Sequence, residues 1–169
     1  MPVTPDQIRE LRELTSAGVM DCKRALEASD GDVKKAIAYL GEQGIAAAAK
    51  RSDRETGQGL IESYIHGGGR VGVLVEVNCE TDFVARTDDF KALAREIALQ
   101  IAGLPWTIAI SEDQLPADFV PVAGQEAVLL KQSSIRDSSK TIQQLITEAV
   151  AKTGENIQVR RFSRFELGQ

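Results

Sequence analysis

Three consecutive glycines, Gly67, Gly68 and Gly69, separate two runs of β-prone residues, 60–65 and 71–77, and no other feature of the 169-residue chain restricts its fold as tightly. Glycine enters positive-φ turns without steric cost, so a tight reversal joins the runs and they pair as an antiparallel hairpin. A phosphate-cradling loop is the competing reading. It fails because a strand pattern follows the glycines, where a helix N-terminus carrying Lys-Ser or Lys-Thr would be needed. A third strand-like run, 157–167, alternates Ile157 and Val159 against Gln158 and Arg160.

Helical periods occupy most of the remainder. Thr4, Pro5 and Gln7 supply an N-cap, a first-turn proline and a capping-box partner, after which Ile8, Leu11 and Leu14 line one face. Gly18 breaks that pattern, and a second helix through Cys22, Ala25 and Leu26 ends at Ser29, Asp30 and Gly31. In a third, Val33, Ala36, Ile37 and Leu40 share a face, with Gly41 and Gly44 read as its stop. Residues 45–51 are Ala-rich and helical in character, whereas 52–59 are polar. The expected division is therefore a three-helix module with its linker over residues 1–55 and a core over 56–169.

Within the core, Thr87 caps a helix whose Phe90, Leu93, Ala94, Ile97 and Ile101 face inward. Residues 104–121 hold three prolines and Trp106 and read as an irregular connection, followed by a short helix over 124–131. Ser138 or Ser139 caps a last helix through Ile142, Leu145, Ile146, Ala149 and Val150, which Gly154 ends. The expected class is α+β, a three-stranded antiparallel sheet packed with helices.

Twenty basic against twenty-five acidic residues give a net charge of −5, which argues against direct nucleic-acid binding. Hydrophobic and charged fractions of 43% and 27% suit a soluble globular chain, with no leader and no run long enough for a membrane span, so the expected location is cytoplasmic. Cys22 and Cys79 lack metal-ligand spacing and are expected reduced. The single histidine, His66, lies at the hairpin turn, away from Cys79, and carboxylates near that cysteine would raise its thiol pKa. Glu76, Glu80, Asp82, Asp88 and Asp89 could be imagined around a divalent ion, but water-facing strand positions and first-turn helix positions account for them. With no nucleophile, base, metal or cofactor pattern, the chain reads as a binding protein and not an enzyme.

One segment then stands out. Residues 79–87, Cys-Glu-Thr-Asp-Phe-Val-Ala-Arg-Thr, fall between a strand and a helix, so Phe83 either packs inward, as such a ring usually does, or is presented at a turn beside Asp82. The second reading makes Phe83 a wedge for a partner's apolar slot.

Residues 11–26, with Leu11-Arg12-Glu13-Leu14-Thr15 and Gly18-Val19-Met20-Asp21-Cys22-Lys23, together with 75–85 and 152–162, resemble the elongation factor Ts family. The resemblance implies a ubiquitin-associated-like N-terminal module and guanine-nucleotide exchange on the GTPase elongation factor Tu, without cofactor or covalent step. It implies that Thr81, Asp82, Phe83 and Val84 disturb the GTPase's Mg²⁺ site and that Arg12, Val19, Met20 and Lys23 bind it. Full-size members carry two related core halves and a coiled-coil insertion, for which residues 104–136 are too few. A single half leaves a sheet face or edge needing cover, so a homodimer is expected. Val19 stands where methionine is common in the family, and Thr87 where asparagine is common.

Overall fold

The computed structural model describes residues 3–169. Three helices come first: α1 (Pro5–Thr15), α2 (Val19–Ala28) and α3 (Val33–Arg51). The hairpin β1 (Gln58–His66) and β2 (Val71–Cys79), a short turn of helix α4 (Asp82–Ala85), α5 (Asp88–Gly103), α6 (Ile142–Thr153) and β3 (Ile157–Glu166) complete the order. The class is α+β, and the N-terminal helices are consistent with a ubiquitin-associated-like module.

Helix starts follow local chemistry. Thr4 and Gln7 form the reciprocal capping box of α1, and Thr87 accepts from the Phe90 amide at the start of α5. Leu11, Cys22, Ala25, Leu26 and Ala36 make a small core between the first three helices. Leu14 and Ile37, assigned inward by periodicity, are exposed instead; the small core between these helices lacks the volume to cover a wide stripe.

The expected stop at Gly41 and Gly44 is also wrong. Helix α3 runs 19 residues through both. A helical glycine costs only about 1 kcal/mol relative to alanine, and Gly44 is buried where α3 crosses α6. A Cβ placed there would lie 3.7 Å from the Ala151 Cβ. That is ordinary contact distance, so α6 packs over this point of α3, and the Ala-rich residues that follow extend the same helix.

The sheet order is β1-β2-β3, antiparallel throughout, with Gln58 opposite Cys79 and His66 opposite Val71. Val73, Val75, Val77, Ile157 and Val159 face α5 and α6, burying Phe90, Ile97, Ile101, Ile142 and Ile146 in the larger core. Gly59 crosses β2 so closely that a Cβ would meet the Val77 carbonyl oxygen at 2.2 Å. A bulge at Arg160 shifts the β2–β3 register, since Val77 pairs with Val159 but Glu76 with Arg161. The other sheet face carries Ile61, Ile65, Leu74 and Phe165, each with half or more of its surface exposed.

Two further expectations fail. Residues 124–131 form no α-helix; only Leu129–Lys131 make a 3₁₀ turn, because Ala109 pairs with Val128 as an isolated bridge and holds the chain extended. Helix α6 is capped by Thr141, not by Ser138 or Ser139: Thr141 and Gln144 form a capping box, while the Ser139 amide and hydroxyl both donate to Asp137. The irregular connection is held by buried Gln100 and Gln132. The Gln100 amide donates to the Gln132 side chain and the Ser133 carbonyl, and Gln132 donates to Thr107 and Glu126. Trp106 is half-buried beside it.

Candidate functional site

The turn after β2 presents one ring. Thr81 is the N-cap of α4, accepting from the Val84 amide, and α4 lasts a single turn. Of its side chains Val84 and Ala85 are buried in the larger core, whereas Phe83 is 77% exposed. Val84 and Ala85 occupy the core side of this one turn, which leaves Phe83 on its outer side. Asp82 pairs with Arg86 at 2.9 Å across the same turn. Thr81, Asp82 and Phe83 therefore share an outward surface, and Val84 is the anchor beneath them.

What stiffens that turn lies far away in sequence. One oxygen of the Glu155 carboxylate accepts from the Glu80 and Thr81 amides at 3.1 and 3.0 Å, and the other accepts from the Thr81 hydroxyl at 2.6 Å. Glu80 answers in kind: its carboxylate accepts from the Asn156 amide at 2.7 Å. The Asn156 side chain donates to the carbonyls of Ser52 and Arg54, so the exit of α3 joins the same knot. Sequence reasoning assigned no role to Glu155 or Asn156. The available signal was a polar pair directly after the helix-ending Gly154 and directly before a strand, a place where side chains must satisfy backbone groups.

The acidic residues do not converge. Glu76 pairs with Arg161, Glu80 with Arg54 and Asp89 with Lys152. Among the described residues no group of histidine, cysteine, aspartate and glutamate is placed to hold a metal ion. Burial pushes the Cys79 thiol above its ordinary pKa, with the Glu155 charge adding to the effect; burial outweighs the carboxylates the sequence had suggested. His66 is exposed, its ring stacked on Tyr64 with the Tyr64 hydroxyl 3.1 Å from Nδ1.

The Arg161 hydrogen bond holds the Glu76 carboxyl below the ordinary glutamate range, with Arg160 adding Coulombic attraction. A depressed folded-state pKa contributes stability that is complete above the unfolded value and disappears as pH falls through the folded one. Urea midpoints should accordingly drop more steeply below about pH 4.5 in the native chain than in Glu76→Gln. Parallel pH profiles would show that the pair adds nothing.

On the helical module Arg12, Val19 and Lys23 meet along a shallow groove between α1 and α2, lined also by Val3, Pro5 and Ile8. Met20 stands next to Val19, 63% exposed, outside that lining. Lys23 reaches Glu27 at 3.8 Å, a loose surface pair.

Exposed apolar side chains thus stand in two places, Val19 and Met20 on the small helical module and Phe83 at the sheet–helix turn. A family model described as elongation factor TS matches residues 5–120 and 80–169. The elongation factor Ts of Heliobacterium modesticaldum is 50% identical over 196 positions, covering 99% of this chain and 91% of that protein. That of Leptospira biflexa is 47% identical, with 99% of both chains covered, and that of Carboxydothermus hydrogenoformans 47% identical, with 99% and 90% covered. The chain belongs to the elongation factor Ts family. An alignment of 196 positions against 169 residues means that the relative also carries stretches this chain lacks.

Proposed function

We propose that this chain is a guanine-nucleotide exchange factor for elongation factor Tu, acting in translation elongation without chemistry of its own. The observation that carries the reading is the Phe83 ring, exposed on a turn whose neighbours are locked into the core. Thr81, Asp82, Phe83 and Val84 form the element that displaces part of the GTPase next to its Mg²⁺ and phosphate site. Mg²⁺ demands near-octahedral geometry and is held by few protein ligands, so a shift of roughly an ångström loosens it. Exchange factor and nucleotide then weaken each other equally, because coupling free energies are reciprocal, and excess GTP completes the cycle.

Arg12, Val19, Met20 and Lys23 make the second contact, with Met20 as an adaptable apolar surface. The division into a helical module (1–55) and a core (56–169) is supported by the two separate hydrophobic clusters. Among the described residues no helix is long and apolar enough to cross a membrane, and a cytoplasmic location follows from the proposed role. The direct test is release of a fluorescent GDP analogue from elongation factor Tu. Micromolar chain should accelerate release well above the spontaneous rate, and an unchanged rate overturns the reading.

The outer sheet face supports a homodimer. Ile61, Ile65, Leu74 and Phe165 are contiguous through the register, Ile65 and Phe165 flanking Gly72 while Leu74 sits one pair away. Apolar patches of this kind mark contact surfaces, and a second copy placed about a two-fold axis would cover it with its own equivalent. Sedimentation at micromolar concentration should report a dimer for the native chain and a monomer for the Leu74→Asp, Phe165→Asp double variant. A native monomer refutes the pairing.

A further inference from the structure

We propose that Glu155 is a positioning residue for nucleotide exchange: its carboxylate sets the direction in which Phe83 leaves the fold. The inference rests on the exchange reading of Phe83 given above and adds to it a residue from the opposite end of the core.

The Thr81 hydroxyl has one proton and accepts through its lone pairs. It gives the proton to Glu155 at 2.6 Å and accepts from the Val84 amide at 3.3 Å. The Glu155 bond thus fixes the rotation of the Thr81 side chain in the one sense that caps α4. The second Glu155 oxygen gathers the Glu80 and Thr81 amides, fixing the backbone from which α4 starts. All three bonds end on a carboxylate, where charge assistance strengthens them, and the Thr81 hydroxyl bond, at 2.6 Å, is the short one. Helix α4 is a single turn whose first bond, from the Ala85 amide, runs back to the Thr81 carbonyl, so with Val84 as its anchor the direction of the turn depends on how the Thr81 backbone is held.

Glu155 is itself seated firmly. Gly154 ends α6 in the left-handed conformation with φ 75°, and the Glu155 amide donates to the Thr153 hydroxyl, which donates to the Ala149 carbonyl. The carboxylate is thereby tied to the end of a packed helix. Two of its bonds are exposed and the one to the Glu80 amide is partly buried, all outside the apolar core, so their loss leaves that core intact and changes the aim of the ring.

The test uses the full chain and elongation factor Tu loaded with a fluorescent GDP analogue, measuring both the concentration for half-maximal release and the saturating rate. Misplacing a contact group by about 1 Å can cost on the order of a hundredfold in rate. For Glu155→Ala the saturating rate should fall about tenfold while half-saturation moves less than about threefold, and Glu155→Gln, which keeps one accepting oxygen, should lie between. In a Phe83→Leu background the Glu155→Ala loss should shrink, since both residues act through one lever. A native saturating rate for Glu155→Ala, or an undiminished loss in the Phe83→Leu background, overturns the proposal. A native rate for Phe83→Ala would instead refute the reading of the site itself. Should Glu155→Ala fail to fold by circular dichroism, Glu155→Gln is compared with native and Phe83→Leu chains under the same criteria.

Discussion

Phe83→Ala should leave the protein folded and remove most of its stimulation of GDP release. The ring is 77% exposed, so its truncation deletes almost no buried surface, and the urea midpoint should move by no more than about 0.5 kcal/mol of stability. Transfer of that ring into a partner's apolar slot is worth about 2 to 3 kcal/mol. Loss of a hot-spot anchor of that size corresponds to a factor of tens or more in partner binding. Circular dichroism with a release assay on the same sample separates the two effects. A Phe83→Ala chain that releases nucleotide at the native rate would leave the proposed wedge without a function, whereas one that unfolds would place the ring in the structural core.

Phe90→Ala should do the reverse. Seven residues further on, Phe90 is 1% exposed at the start of α5, packed among the large core residues under the sheet. Large-to-small truncation at such a site removes transfer energy and leaves a cavity, costing about 3 to 5 kcal/mol. Out of a total stability of roughly 5 to 15 kcal/mol for an ordinary domain, that is a large fraction. Urea denaturation should show a midpoint far below native, with release activity falling only as the folded population falls. A shift under about 1 kcal/mol would mean that the core repacks around the missing ring. The pair of variants places two phenylalanines of one short segment in opposite roles.

Local chemistry in the sequence carried the parts of this fold that depend on local chemistry. The Thr4 and Thr87 caps, the glycine reversal after β1 and the inward stripe of α5 are settled within a few residues of chain. Phe83 could be anticipated at a turn, but its exposure depends on Val84 and Ala85 occupying the core next to it. The errors have one physical origin. Gly44 looks like a stop unless α6 is already known to lie against it, and Ser139 looks like a cap until Asp137 claims its amide and hydroxyl. The connection over 104–141 is organised by Gln100 and Gln132, more than thirty residues apart in neighbouring elements. Glu155 is further still from Thr81, 74 residues along the chain. Side chains whose partners are that distant leave no periodic trace.

The unbroken run of α3 has a mechanical consequence. At about 1.5 Å per residue its 19 residues form a strut of roughly 28 Å, with one end among the small-core side chains and the other clasped by α6 and by Asn156 through the carbonyls just past its end. On the proposed two-contact reading the molecule works as a caliper, with the helical-module surface and the Phe83 turn as jaws whose spacing the strut sets. Lengthening the strut by a single residue would swing one jaw about 100° around the other.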